Sequence, residues 1–176
     1  MERTTGLVHY YYGDGKGKTT ASLGLALRAA GAEKRAVVTQ FLKGSPYSEI
    51  KSLEKLGIEV KQTKNIKKFV FQMNEEEKQK AASDCADVLE FAANAARSGE
   101  YDLVVLDEVT DAIAVGLLDE NSLLKLIENH SDKTEIVMTG HVPNEKVVES
   151  ADYVTEMAKR KHPYDRGIMA RKGIEF

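Results

Sequence analysis

The sequence predicts an α/β fold in which a mostly parallel sheet carries helices on both faces. Short apolar runs alternate along the chain with segments of helical periodicity, which is the pattern of successive strand–helix units. The clearest strand, LVVL at 103–106, is apolar throughout, as expected for a strand that is covered from both sides. A glycine-rich loop joins the first strand to the first helix, at the edge where such sheets bind ligands.

Six strands and five helices account for most of the chain. The predicted strands cover 6–12, 35–41, 58–62, 103–106, 135–139 and 153–156. The predicted helices cover 18–30, 48–56, 75–97, 119–129 and 144–150, and the first three are expected to end at Gly31, Gly57 and Gly99. Residues 42–47 are expected to form a loop, and the stretch 158–176 has no clear periodicity.

The helix at 75–97 has the strongest local signals. Asn74 can cap its start together with Glu77, and the acidic triplet at 75–77 suits the positive end of the helix dipole. Residues at helical spacing form its predicted apolar face, namely Ala82, Cys85, Val88 or Leu89, Ala92 and Ala96. We therefore expect this helix to cover one face of the sheet.

The composition limits the classes of protein to which the chain can belong. A chain of 176 residues with 42% hydrophobic and 30% charged residues fits one domain, 1–176, with a substantial core. The net charge of −3 argues against a nucleic-acid surface, and no apolar run approaches the roughly 18 residues that span a membrane. The single cysteine, Cys85, can form neither an internal disulfide nor a cysteine-based zinc site. With no signal-peptide core at its start, the chain is expected in the cytoplasm.

The stretch YYYGDGKGKTT at 10–20 resembles a phosphate-binding loop with one residue fewer than usual. The common pattern has four residues between the first glycine and Gly-Lys-Ser/Thr, whereas only three separate Gly13 from Gly17. An ordinary glycine turn is the alternative, but a strand before the loop and a good helix former after it favour a nucleoside triphosphate site. The predicted ATP-binding residues are Gly13, Asp14, Gly15, Lys16, Gly17, Lys18, Thr19 and Thr20.

A second motif, LVVLDE at 103–108, ends a strand with two carboxylates. Because the carboxyl ends of parallel strands meet at one edge of the sheet, Asp107 and Glu108 should face the same crevice as Lys18 and Thr19. A Mg²⁺ ion (or Mn²⁺) held by Thr19 and a carboxylate is the expected result, and an accidentally acidic strand end is the alternative. Together the two motifs predict a three-layer P-loop NTPase fold of RecA-like type.

These motifs leave the reaction open. Water can attack the γ-phosphorus, as in an ATPase, a hydroxyl can attack it, as in a kinase, or a nucleophile can attack elsewhere on the nucleotide. A kinase or ATPase with a RecA-like or thymidine-kinase-like core is therefore one reading, and a nucleotide-binding regulatory module without turnover is another. The four histidines, His9, His130, His141 and His162, are scattered, and none is given a catalytic role.

Nearly the whole chain, from about residue 6 to 176, resembles the P-loop type of ATP:corrinoid adenosyltransferase. The resemblance is carried by YGDGKGKTTASLGLALRAAG, VVTQFLKG, LVVLDEVTDAIAVGLL and the ending KHPYDRGIMARKGIEF. It implies that Co(I) of a corrinoid attacks the 5′-carbon of ATP and that triphosphate leaves. It also implies that the triphosphate lies in the loop in the reverse sense to hydrolytic relatives, with the γ-phosphate where an α-phosphate usually lies.

The resemblance implies roles for particular residues. Lys18, Thr19 and Glu108 would be catalytic, with Mg²⁺ held by Thr19 and Glu108 and with Asp107 nearby or acting through water. Asp14 would lie near the ribose.

The segment KKFVFQ resembles the segment that, in the family, keeps the lower ligand away from cobalt. The rings of Phe69 and Phe71 would press under the corrin, although the second ring is Trp in a well-known member. Core packing at strand spacing is the alternative for these rings.

The family also implies partners. Its substrates are ATP and a reduced corrinoid, with cob(I)yrinic acid a,c-diamide as one expected form, and the expected assembly is a homodimer reduced by a flavodoxin-like electron donor. Some members carry an N-terminal segment over the corrinoid, which here would be absent or come from a partner subunit. The basic run 159–161 is expected to be a solvated surface, with contact to a charged ligand as the alternative.

Overall fold

The computed structural model describes residues 5–43 and 48–175. Within these residues one six-stranded sheet has the order β3-β2-β4-β5-β1-β6, and every neighbouring pair is parallel. Its strands are β1 Val8–Tyr12, β2 Ala36–Gln40, β3 Glu59–Gln62, β4 Leu103–Asp107, β5 Glu135–Gly140 and β6 Tyr153–Glu156. The predicted strands are therefore all present, with ends that differ by a residue or two.

Six α-helices connect the strands within the described residues: α1 Lys18–Gly31, α2 Ile50–Lys55, α3 Glu75–Ser98, α4 Val109–Ala114, α5 Glu120–Asn129 and α6 Glu145–Ser150. Two short 3₁₀ segments cover Val70–Gln72 and Pro163–Arg166. The sequence did not predict α4, because six residues are too few to establish a helical period. Part of the predicted loop at 42–47, including Gly44 and Pro46, lies outside the described residues.

The two faces of the sheet have separate apolar cores. Successive residues of β4 alternate between them, with Val104 packed on the α3 and α5 side and Val105 on the side of α1 and α2. Both residues are fully buried, as the apolar run of this strand predicted. The layers of helix, sheet and helix confirm the predicted three-layer α/β fold, and the strand order is consistent with a RecA-like P-loop protein.

Two local details of the helices differ from expectation. At α3 the capping box of Asn74 and Glu77 is present as predicted, but the buried face begins at Ala81 rather than at the half-exposed Ala82. The first helix ends at Gly31 rather than at Ala30, so this glycine is its last residue and not its cap, and Glu33, two positions later, adopts the left-handed conformation with φ of 60°. A glycine two residues before the turn still fits inside a helix, so the sequence alone does not fix the end.

The parallel sheet brings its functional segments to one edge. The glycine loop follows β1, the carboxylates end β4, and the segment after β5 lies beside the loop, since β5 separates β1 from β4. No helix within the described residues is long and apolar enough to cross a membrane.

Candidate functional site

The glycine loop between β1 and α1 is shaped by close approach of the chain that leaves β6. A Cβ atom at Gly13 or Gly15 would lie 2.5 Å from the carbonyl oxygen of Met157, which already accepts a hydrogen bond of 2.6 Å from the Gly15 N–H. Gly13 and Gly17 also have φ of +122° and +119°, a region that residues with a Cβ rarely adopt. The loop therefore requires glycine at three positions for steric reasons that are independent of any ligand.

The N–H groups of the loop divide into two sets. Those of Gly13 and Gly15 are satisfied by the backbone, since Gly13 donates to the carbonyl oxygens of Gly140 and His141 at 3.2 Å. Within the described chain the N–H groups of Lys16 and Gly17 donate to no protein atom, and Gly17 offers no side-chain cap to α1. Free N–H groups at the positive end of a helix form an anion-binding concavity.

Lys18 is turned toward its own loop. Its Nζ donates to the carbonyl oxygens of Gly13 and Gly15 at 2.6 and 2.8 Å, and only 8% of the residue is exposed. Burial lowers the pKa of Lys18, against the opposing effect of nearby carboxylates that include Asp111 and Glu108. The ammonium thus braces the loop in this conformation, and its predicted contact with phosphate stays a prediction.

Asp107, the last residue of β4, is completely buried and fully hydrogen-bonded. Its Oδ1 accepts from the hydroxyls of Thr19 and Thr139, both at 2.8 Å. Its Oδ2 accepts from Gln40 Nε2 at 3.1 Å and from Lys43 Nζ at 2.5 Å. The structure therefore brings Asp107 to Thr19 as the motif predicted, and it shows that three further side chains from β2, β5 and the loop after β2 hold the carboxylate.

Glu108 turns away from the strand into the crevice. Its φ of 63° is unusual for a residue with a side chain, and its N–H donates to Thr139 Oγ1 at 2.8 Å. Its side chain, 24% exposed, lies 3.7 Å from Lys43 Nζ. Burial raises the pKa of Glu108, and Lys43 opposes that rise. This strained backbone is what directs the carboxylate of Glu108 toward solvent rather than into the core.

A cavity of about 620 Å³ joins these residues. Its walls include most of the residues predicted to bind ATP and metal, namely Asp14, Gly15, Lys16, Gly17, Lys18, Thr19, Thr20 and Glu108. Gly13 and Asp107 lie behind that wall, where they hold Lys18 and Thr19 in place. The sequence motifs therefore converge on one crevice, while their individual roles in binding remain predictions.

The oxygen atoms of the cavity fit a small divalent cation. Hydroxyl and carboxylate oxygens are the ligands that Mg²⁺ and Mn²⁺ prefer, and Mg²⁺ commonly combines one or two carboxylates with substrate phosphates. Thr19 and Glu108 line the cavity, whereas both oxygens of Asp107 are already engaged by protein donors. The described residues contain no group of three or more His, Cys, Asp or Glu side chains arranged to hold a metal alone. A cation here would therefore complete its coordination with water or with oxygen atoms of a bound anion.

Sequence reasoning missed Lys43, although it lies within the quoted segment VVTQFLKG. Its side chain is 6% exposed and is paired with Asp107 and Glu108 at the cavity wall. Burial lowers the pKa of Lys43, but the two carboxylates outweigh burial, so the pKa lies above its ordinary value. A lysine directly after an apolar strand end was the available signal, and only the packing shows where it points.

His141 also lies at the cavity, although the sequence gave it no catalytic role. Its ring Nδ1 and its backbone N–H pair with the Asp111 carboxylate at 2.9 and 2.8 Å. The hydrogen bond with Asp111 raises the pKa of His141, and partial burial opposes it. Asp111 lies on the unpredicted helix α4, so this contact could not be foreseen from the sequence.

The C-terminal stretch packs against the loop. Lys16 Nζ donates to the Ile174 carbonyl at 2.9 Å and pairs with Glu175 at 3.2 Å, and Gly173 to Glu175 line the cavity. The Asp14 carboxylate accepts a hydrogen bond of 2.8 Å from the Lys159 N–H, which lowers the pKa of Asp14. The C-terminal stretch has no clear periodicity in the sequence, and the structure shows that part of it forms a wall of the crevice.

Phe69 and Phe71 are at the surface. They are 71% and 82% exposed, and their rings stack with centroids 5.5 Å apart and planes at 11°. Core packing at strand spacing is therefore wrong for this pair, because the segment is a 3₁₀ turn rather than a strand. Neither ring lines the cavity beside the glycine loop. The two stacked phenylalanines leave apolar surface exposed to solvent, as at sites that bind ligands or partners.

The sheet order and the glycine loop together define the class of protein: a P-loop protein with a RecA-like core. The chain belongs to the ATP:corrinoid adenosyltransferase family, because the family model described as ATP:corrinoid adenosyltransferase BtuR/CobO/CobP matches residues 4–176.

Curated relatives agree with this family assignment. The chain is 30% identical to the corrinoid adenosyltransferase of Escherichia coli K12 over 172 residues, which are 97% of this chain and 86% of that protein. It is 31% identical to the corrinoid adenosyltransferase CobA of Salmonella typhimurium LT2, over the same shares of the two chains. It is 32% identical to the corrinoid adenosyltransferase of Pseudomonas aeruginosa PAO1, over 99% of this chain and 85% of that protein.

Proposed function

We propose that this protein transfers the 5′-deoxyadenosyl group of ATP to Co(I) of a reduced corrinoid and releases triphosphate. The observation that carries the proposal is the family match over residues 4–176, which includes the glycine loop, the carboxylate strand and the exposed phenylalanine pair. In the reaction the cobalt electron pair forms a bond to the 5′-carbon. The carbon–oxygen bond breaks, its electrons leave with triphosphate, and Co(I) becomes Co(III).

Stabilising the leaving triphosphate is the protein's main task in this reaction. The free N–H groups of Lys16 and Gly17 and the start of α1 supply fixed positive dipoles. The Lys18 ammonium, held on the loop carbonyls, needs only a rotation of its side chain to reach an anion in the crevice. The full proposed set is Gly13, Asp14, Gly15, Lys16, Gly17, Lys18, Thr19 and Thr20.

Thr19 and Glu108 would hold a Mg²⁺ ion, or Mn²⁺, with Asp107 acting through water. When bound, the ion would neutralise part of the negative charge that develops on the triphosphate. Thr19 keeps a lone pair for this purpose, because its hydroxyl proton is directed to Asp107 Oδ1. The protein supplies no nucleophile, since the corrinoid carries the reactive atom.

The stacked pair Phe69 and Phe71 is proposed to contact the lower face of the corrin. Both rings are exposed and parallel, so a flat macrocycle can bury them without displacing any core residue. A ring in that position would exclude the lower ligand of cobalt and favour reduction to Co(I).

Finer features of the activity belong to the same proposal. The proposed substrates include cob(I)yrinic acid a,c-diamide, and a flavodoxin-like protein is the proposed electron donor. A homodimer in the cytoplasm is the proposed assembly and location, with the buried free thiol of Cys85 fitting a reducing compartment. Because every proposed phosphate and metal residue lies at one edge of a single sheet, 1–176 is proposed to be one catalytic domain.

An anaerobic assay with ATP, Mg²⁺ and chemically reduced cobalamin tests the proposal. We expect the corrin spectrum to change to that of adenosylcobalamin and intact triphosphate to accumulate in equal amount. ADP and phosphate without a cobalt–carbon product would instead identify a kinase or ATPase, and tight ATP binding without any product would identify a regulatory module.

When lysines of the glycine loop are replaced in this assay, Lys34→Ala is the matched control. Lys34 lies on the surface, and its ion pair among the described residues is with Asp102 at 3.7 Å.

A further inference from the structure

The side-chain ammonium of Lys43 lies where the side chains proposed to bind a metal ion meet. Lys43 Nζ is 2.5 Å from Asp107 Oδ2, 3.4 Å from Thr19 Oγ1 and 3.7 Å from Glu108 Oε1. These three side chains are the ones proposed to surround a divalent ion. Oxygen atoms that converge on one ammonium within 4 Å present the same negative potential to any other small cation.

Asp107 does not depend on Lys43 alone for its hydrogen bonds. Its two oxygens also accept from Thr19, Thr139 and Gln40, so three neutral donors remain if the ammonium moves. Lys43, by contrast, lines the cavity and ends a flexible four-carbon stem. The arrangement therefore combines a fixed carboxylate with a cation that can reach the crevice.

We propose that Lys43 is a built-in counter-cation, which occupies the carboxylates in the nucleotide-free protein and transfers to the triphosphate when the metal and the anion enter together. A divalent ion and an ammonium would repel each other strongly if both stayed within 4 Å of the same carboxylates. The incoming triphosphate gives the ammonium an alternative partner in the same cavity. The inference rests on the proposed function in two respects, that the entering anion is a triphosphate and that a divalent ion binds beside Thr19, Asp107 and Glu108.

The proposal makes metal and triphosphate binding interdependent. Without an anion, Lys43 competes with the metal for Asp107 and Glu108, so divalent ions bind weakly. With the anion present, the competitor is removed and the affinity for the metal rises. By linkage, the metal raises the affinity for triphosphate by the same factor.

Mn²⁺ binding measured by electron paramagnetic resonance, with and without inorganic tripolyphosphate, tests this competition. In the absence of anion we expect Lys43→Met to bind Mn²⁺ at least tenfold more tightly than the wild-type protein. In the same variant tripolyphosphate should bind at least tenfold more weakly. Lys43→Arg retains the competing charge and should show no tightening, and the surface variant Lys146→Met, which loses only a pair with Glu120, should match the wild type.

Unchanged or weaker Mn²⁺ binding by Lys43→Met would overturn the proposal and leave Lys43 as a brace for Asp107. If that variant does not fold, the wild-type protein still decides the question, because the ¹⁵Nζ signal of Lys43 can be followed by nuclear magnetic resonance. The signal should shift on saturation with Mg²⁺ and tripolyphosphate together, and an unmoved signal would overturn the proposal. Neither measurement uses a corrinoid, so failure of the proposed transferase activity would appear separately, in the adenosylation assay.

Discussion

Replacing Asp107 by Asn should destabilise the protein, because the buried ammonium of Lys43 loses its nearest carboxylate. The substitution preserves the shape of the side chain, and one oxygen can still accept from the Thr19 and Thr139 hydroxyls. The new amide NH₂ must then face Lys43 and Gln40, which are themselves donors. The variant therefore keeps the packing of the site and removes the nearer carboxylate of a buried ammonium, while Glu108 stays 3.7 Å away.

The size of the effect follows from burial and distance. Asp107 is 0% exposed, and the Lys43 side chain is 6% exposed. At the 2.5 Å separation Coulomb's law with an effective dielectric of 20 gives a gross attraction of about 7 kcal/mol. Desolvation offsets part of this, and removing one partner of a buried pair typically costs about 3–5 kcal/mol. For a chain of this length each kcal/mol lowers Tm by about 2–4 °C, so the expected loss is roughly 6–20 °C.

Thermal unfolding followed by circular dichroism measures this loss. The matched control is Asp165→Asn, which breaks an exposed pair with Lys159 at 3.1 Å and should cost only about 0–1 kcal/mol. The double variant Asp107→Asn with Lys43→Met should be more stable than Asp107→Asn alone, since it removes the buried ammonium that has lost its nearest carboxylate. A Tm loss no larger than that of the control, or simple addition of the two single effects, would refute the reasoning.

Four sites, in the crevice and on the surface, yield further predictions. Lys18→Ala should lower the adenosylation rate by roughly 10²-fold or more, because the leaving group loses a cation, and near-normal turnover would contradict this role. Asp111→Asn should lower the pKa of His141, as measured by nuclear magnetic resonance titration. Because the pKa of His141 is raised in the folded protein, its pair with Asp111 stabilises the fold at low pH. This contribution is lost as the pH rises through the raised pKa. The variant should therefore be more destabilised, relative to the wild type, at acid than at alkaline pH. Phe71→Ala should change the free energy of unfolding by less than about 0.5 kcal/mol, given its exposure, yet slow the reaction from Co(II) more than from pre-reduced Co(I). Equal slowing of both reactions would argue against a contact below the corrin. Asn74→Ala, which removes a helix cap far from the crevice, should cost about 1 kcal/mol in thermal unfolding without changing the rate.

Local signals in the sequence were sufficient for most of the fold. Apolar runs located the central strands β2, β4 and β5, because a strand covered on both faces has few alternatives to a mostly apolar sequence. The edge strands β3 and β6 were also predicted, although they are largely exposed. Asn74 and Glu77 located the start of the longest helix, since a capping box depends only on residues three apart. The same locality explains the failures: α4 is too short to show a period, and Gly31 was expected to cap α1 but is its last residue, with the left-handed residue two positions later at Glu33.

Only some residues of the crevice could be predicted from the sequence. The loop and the strand LVVLDE carry their own spacing, so Lys18, Thr19, Asp107 and Glu108 could be predicted to meet. Lys43, Thr139 and His141 could not, because Lys43 reaches the site from the loop after β2 and the other two from the end of β5, and the sequence around them does not show where they point. The packing of three separate segments against Asp107 is a property of the assembled sheet.

The sequence by itself determined the parallel sheet, the glycine loop and the carboxylates at its carboxyl edge, since each leaves a pattern among residues close in the chain. Only the tertiary structure decided which partners these groups have. It exposed Phe69 and Phe71 instead of burying them, and it placed the ammonium of Lys43 between Asp107 and Glu108. The physical reason is that burial and charge pairing depend on which strands become neighbours, and a linear pattern of residues does not contain that information.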